Sequence, residues 1–215
     1  MSTGLSSTFK NVLVLAPHTD DGELGAGGFI SKLVESGSEV HYVAFSIAEE
    51  SVPKEFPSDI LVSEVQKATS VLGIKKENLH IFRYKVRKLS YVRQEILEEI
   101  VVLKRKYAFD LVLIPSLNDI HQDHAAVAQE GLRAFKNVTV LSYELIWNNI
   151  EFKTTSYVSL EQRHIEAKVN AMQQYASQKF RKYVDQDFIF SLAKVRGVQF
   201  GVPYAEVFEV NRLKI

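Results

Sequence analysis

Two short runs of sequence concentrate the side chains able to hold a metal ion or move a proton. The first holds His18, Asp20, Asp21 and Glu23; the second, about a hundred residues later, holds His121, Asp123 and His124. Two histidines and one carboxylate around an open fourth position form a common catalytic zinc shell. An ion held that way lowers the pKa of a bound water to roughly 7 and makes hydroxide available at neutral pH. Neighbouring side chains in a turn point in different directions, so Asp20 and Asp21 need not share a role. One is expected to ligate while the other accepts the water's proton. The same reasoning separates the histidines. His124, at the start of a helix, suits a ligand; His121 would then face the reacting carbonyl, with Asp123 behind a histidine to fix its tautomer.

Each run alone has a plainer explanation. An Asp-Asp pair ahead of a helix serves as cap and dipole partner, and an isolated histidine is usually a surface or core residue. What joins the two runs is their setting. Each closely follows an apolar strand that meets a proline: V-L-V-L-A before Pro17, and L-V-L-I before Pro115. In an open α/β sheet such loops share the carboxyl edge, where distant residues meet.

The rest of the chain supplies that sheet. Strands are expected at Val12–Ala16, Val40–Phe45, Leu79–Phe82, Leu111–Ile114, Thr139–Tyr143 and Ala205–Val210. Helices are expected from about Leu24 to Glu35, Ser58 to Leu72, Tyr91 to Lys104, Ala125 to Phe135 and Leu160 to Ala176, with Gly37 and Gly73 as stops. Ser46–Pro57 reads as a long loop, and the region between Ala176 and Ala205 as a mixed tail. Alternation of strand and helix predicts an α/β fold with a mostly parallel, doubly wound sheet, and 215 residues suit one domain over 1–215. Gly25, Gly27 and Gly28 do not make the G-x-G-x-x-G phosphate signature; close packing of helix on sheet accounts for them.

Composition narrows the chemistry. Lys+Arg and Asp+Glu both number 26, and no basic stripe marks a nucleic-acid surface. With no cysteine, thiolate ligands, thiol nucleophiles and disulfides are excluded, so a metal must rest on His, Asp or Glu. No G-x-S-x-G elbow marks a serine hydrolase. Met1–Asn11 lacks the apolar core of a signal peptide and no run reaches membrane-spanning length, so a cytoplasmic protein is expected.

The motifs resemble those of the LmbE-like, or PIG-L, family of zinc-dependent N-deacetylases. P-H-T-D-D-G-E-L-G-A-G-G is similar to that family's P-H-P-D-D-x-E-x-G-x-G-G, and H-Q-D-H to its H-P-D-H. Lys168 with A-M-Q-Q-Y-A-S-Q, and R-G-x-x-x-G-x-x-Y-A-E-x-F over Arg196–Phe208, match two later motifs. Thr19 and Gln122 stand where the family often has proline. The resemblance implies a Rossmann-like three-layer sandwich with His18, Asp21 and His124 as ligands of zinc or ferrous iron. It makes Asp20 the general base and His121 the group that stabilises the tetrahedral oxyanion, with Asp123 in support. The implied reaction removes an N-acetyl group from a small amino sugar or sugar conjugate. Another sugar-conjugate amide, or a metal protein without turnover, is the competing reading, and a homo-oligomer stays open. Arg83, Arg87 and Arg93, after the third strand, are the candidates for meeting an anionic group on the substrate.

Overall fold

The computed structural model describes residues 9–214; of the N-terminal stretch read above, Met1–Thr8 lies outside the described residues. One sheet of seven strands organises them, in the order β3-β2-β1-β4-β5-β7-β6. The strands are β1 (Asn11–His18), β2 (Glu39–Ser46), β3 (Leu79–Ile81), β4 (Leu111–Pro115), β5 (Thr139–Tyr143), β6 (Ser156–Leu160) and β7 (Tyr204–Arg212). β1 to β5 are mutually parallel, and β7 runs antiparallel to both β5 and β6.

Strand periodicity sorts the apolar residues into two cores. Val12, Val14 and Ala16 face one side, while Leu13 and Leu15 face the other, all of them fully buried. On the first side lie α1 (Asp21–Glu35), α2 (Ile60–Val71), α5 (Gln162–Met172) and α6 (Gln186–Phe200); on the second lie α3 (Arg93–Lys106) and α4 (Gln122–Ala134). The result is the expected helix–sheet–helix sandwich. The order changes direction between β1 and β4, so the chain leaves these neighbouring strands toward opposite faces and opens a crevice at their carboxyl ends. The two polar runs sit there.

Helix α1 is broken near its start. Ala26 has φ −143° and ψ 17°, and the break frees the N–H groups of Gly28 and Phe29. The Glu206 carboxylate accepts both, at 3.0 and 2.7 Å, and takes Lys168 Nζ at 2.7 Å. A side chain from β7 thus does what a helix-capping residue does at a terminus. The glycines admit this packing: a Cβ on Gly25 would lie 2.2 Å from Tyr143 Cδ2, and one on Gly28 would lie 2.6 Å from Leu160 Cδ1.

Several boundaries differ from the sequence expectation. β1 continues through Pro17 to His18, because β4 pairs with β1 only as far as Val14 and the missing proline N–H faces no ladder partner. α1 begins at Asp21, not Leu24, which places Asp21 and Glu23 in its first turn. α5 begins at Gln162, since Leu160 ends the edge strand β6. The mixed tail contains α6, whose apolar residues surround the helix: Ile189 and Ala193 are buried while Val195 and Val198 are exposed. No helix among the described residues is long and apolar enough to cross a membrane.

Candidate metal centre

The end of β1, the first residue of α1 and the first turn of α4 bring His18, Asp21 and His124 together. His18 Nδ1 lies 3.1 Å from Asp21 Oδ2 and 3.2 Å from His124 Nε2, and His124 Nε2 lies 3.3 Å from Asp21 Oδ2. Ligands about 2.0–2.1 Å from a tetrahedral ion stand roughly 3.3 Å from one another, so this triangle has the size a zinc or ferrous ion requires. A ring nitrogen of His121 also falls within 4.8 Å of those of His18 and His124.

Carboxylates behind the histidines decide which nitrogen is available. Asp119 Oδ2 accepts from His124 Nδ1 at 2.8 Å, which leaves the lone pair on Nε2. Asp123 Oδ2 lies 3.1 Å from His18 Nε2 and leaves Nδ1 directed at Asp21. Asp123 is itself fixed by the backbone N–H groups of Arg87 and Leu89, at 2.5 and 3.1 Å. His121 is different: its Nδ1 accepts the Asp123 backbone N–H at 3.1 Å, so the proton resides on Nε2. A neutral ring in that tautomer donates from Nε2 and has no lone pair there for a metal. The tighter triangle with Asp21 is therefore the better ligand set.

Charge argues the same way. Burial opposes charge on His18, yet Asp21 and Asp123 outweigh it and raise the ring to about 10. Burial likewise opposes charge on Asp21, and His124 and His18 overcome it to hold the carboxyl well below its usual range. Such a cluster calls for a positive charge, which a metal ion supplies. Asp20 makes none of these bonds; burial first, then Asp21, raises it to about 6. Burial and the neighbouring His124 and His18 lower His121 to about 4 and keep it neutral.

The centre opens on a cavity of about 230 Å³ whose walls include Asp20, His121, Arg87, Arg181, Trp147 and Tyr183. Of the three arginines read from sequence, Arg87 lines it. Arg83 lies in a neighbouring groove, paired with Glu49 at 2.8 Å, and Arg93 binds the buried carboxylate of Glu130 at 2.5 Å. Trp147 and Tyr183 stack with ring centroids 4.0 Å apart and planes 9° apart. Asp119, Arg181 and Tyr183 are site residues that sequence reasoning passed over. Asp119 stands in the same N-D-I-H-Q-D-H run as Asp123, and nothing in composition ranks the two.

Beneath the first loop, Glu23 lies between Tyr42 and Tyr175. Its carboxyl oxygens meet both hydroxyls, which also reach the Thr19 carbonyl at 3.0 and 2.7 Å. Burial raises Glu23 to about 8. The network is a brace for the ligand loop, and Glu23 contributes no metal ligand.

Known proteins share the family and the fold. The family model described as PIG-L, GlcNAc-PI de-N-acetylase, matches residues 13–135. A diacetylchitobiose deacetylase of Thermococcus kodakarensis is 31% identical over 133 residues, covering 58% of this chain and 49% of that one, so the match spans about half of that relative's length. Among solved structures, the N,N'-diacetylchitobiose deacetylase of Pyrococcus horikoshii superposes with TM-score 0.77 and 20% identity, covering 98% of this chain and 87% of that one. GalB, the 4-carboxy-2-hydroxymuconate hydratase of Pseudomonas putida KT2440, does so with TM-score 0.78 and 19% identity, covering 96% and 98%. The fold is common to both, and the reaction must be argued from the residues.

Proposed function

The chain belongs to the PIG-L family, and from that premise we propose that it is a metal-dependent hydrolase that removes an N-acetyl group from an amino sugar or sugar conjugate. The observation that carries this reading is the triangle of His18 Nδ1, Asp21 Oδ2 and His124 Nε2, each histidine oriented by its own carboxylate. These three residues would hold zinc. Bound there, the ion would act as a Lewis acid toward the amide carbonyl and acidify a water.

The remaining work falls to the chain. Asp20, at about 6, is ionised at neutral pH and takes the proton of the attacking water. As the carbonyl carbon becomes tetrahedral, charge gathers on its oxygen, and the Nε2–H of neutral His121 donates to it. Asp20 then returns its proton to the nitrogen as the C–N bond breaks, giving acetate and a free amine. The Trp147–Tyr183 stack supplies an apolar wall against which a sugar ring can lie.

The test is acetate release from a panel of free, glycoside-linked and nucleotide-linked N-acetyl sugars by metal-loaded protein, with Asp20→Asn alongside. The native protein should release acetate. The variant should keep its metal and lose a factor of about 10²–10⁴ in rate. An equally active variant removes Asp20 as the base, and silence of the native protein across the panel overturns the reaction.

A further inference from the structure

Resting on that deacetylase reading, we propose that the sugar carries an acidic group, a phosphate or a carboxylate, which Arg181 and Arg87 bind from two separate loops of the cavity. Arg181 lies in the segment between α5 and α6, beyond the residues the family model matches. It is partly buried, lines the cavity, and forms no ion pair among the described residues. Asp20 feels its charge without pairing with it.

The guanidinium is held in place. Its Nε donates to Gln178 Oε1 at 2.7 Å, and its carbon lies 5.1 Å from the Phe180 ring centroid and 5.7 Å from that of Tyr183. Gln178 is fixed in turn by Ser177, whose N–H and hydroxyl both bind the buried carboxylate of Glu64, at 2.9 and 2.6 Å. A planar fork positioned by buried groups, with no carboxylate in ion-pair contact among the described residues, is suited to bidentate recognition of an acid.

Arg87 is placed by a different device. Its φ is +63°, a left-handed conformation that non-glycine residues seldom adopt and that clusters at functional sites. What holds it there is its backbone N–H, given to Asp123, the carboxylate that orients His18. Among the described residues its side chain pairs only with Glu50, at 3.6 Å, and Lys85 holds that same carboxylate at 2.9 Å. The cavity's own carboxylates, Asp20 and Asp21, are committed to the reaction and to the metal.

The experiment is calorimetric binding to the zinc-loaded protein of N-acetylglucosamine, its 1-phosphate, and N-acetylmuramic acid, with acetate release followed in the same samples. One of the two acids should bind at least tenfold more tightly than the neutral sugar, which also tells phosphate from carboxylate. The ratio should shrink with added salt, fall toward one in Arg181→Gln and in Arg87→Gln, and be partly kept in Arg181→Lys. Three results overturn the proposal: equal binding of acidic and neutral sugars, no binding of any sugar, or a ratio unchanged in both Gln variants, which would assign the acid to the metal. Tight acid binding without acetate release would instead leave the clamp standing and sink the deacetylase reading.

Discussion

His18 and His124 face each other across 3.2 Å, Nδ1 to Nε2, while the remaining nitrogen of each ring is bound to a carboxylate, Asp123 for His18 and Asp119 for His124. The point between them is bordered by Asp21 Oδ2 as well and favours positive charge: the proton that Asp21 and Asp123 hold on His18, raised to about 10, occupies the place a metal ion would take. The carboxylates therefore do more than orient the rings, because they favour a cation at that point.

The Asp119–His124 contact gives the first prediction. Asp119→Ala frees the ring to turn and to exchange tautomers, and zinc affinity should fall by about 10- to 100-fold. Competition against a chromogenic chelator measures this directly. Affinity equal to that of the native protein would show that His124 is held without Asp119.

His121 should behave differently from the ligands. In His121→Ala the bound metal should stay at the native level while kcat falls by about 10²–10³, the usual cost of losing an oxyanion donor. Metal analysis beside steady-state kinetics separates the two roles. Loss of metal in this variant would place His121 in the coordination shell and displace Asp21.

The Glu206 carboxylate joins three donors, two from the broken α1 and one from Lys168, and its side chain is only 6% exposed. Glu206→Ala leaves a buried ammonium and two backbone N–H groups without partners. Urea unfolding should report a loss of about 3–5 kcal/mol. The pair Glu206→Gln with Lys168→Met should lose less, since no isolated charge remains buried. A single variant as stable as the native chain would mean that water reaches the break.

Gly25 is constrained by a ring that cannot retreat. Tyr143 is fully buried and its hydroxyl is fixed to the Leu15 carbonyl at 2.9 Å, so a methyl group at position 25 must displace α1. Gly25→Ala should cost about 1–3 kcal/mol, read from the thermal midpoint. An unaltered midpoint would show slack between helix and sheet.

The glycine run illustrates what could be read before the fold. Gly25, Gly27 and Gly28 announce close packing because only a missing Cβ allows it. The ligand runs announce a sheet edge because V-L-V-L-A and L-V-L-I are unmistakably buried. By contrast, Glu206 shows no sign in sequence that it caps a helix 178 residues away from Gly28. Nor does Asp119 show that it lies nearer His124 Nδ1 than Asp123 does, since side-chain direction in a loop depends on backbone turns that residue type does not dictate. α6 escaped for a related reason. Its apolar residues lie on all sides, so no face stands out at helical spacing.

His41 and His80 form a second histidine pair outside the site, stacked with centroids 5.7 Å apart and planes 7° apart, and with Tyr107 and Phe109 against His41. Burial, reinforced by His80, lowers His41 to about 4, and burial, reinforced by Lys106, lowers His80. Both folded-state values lie below the ordinary 6.5, so the folded chain binds fewer protons than the unfolded one once the pH falls below 6.5. This pair makes no pH-dependent difference above that value. Below it, each step toward pH 4 favours the unfolded state, by at most about 1.4 kcal/mol per unit for His41. Urea midpoints from pH 7.5 down to pH 4.5 should therefore fall more steeply in the native protein than in His41→Gln, where this contribution is gone. Parallel curves would mean that His41 takes up its proton inside the fold, with Glu39, the acidic neighbour that raises it, outweighing the desolvation of the ring.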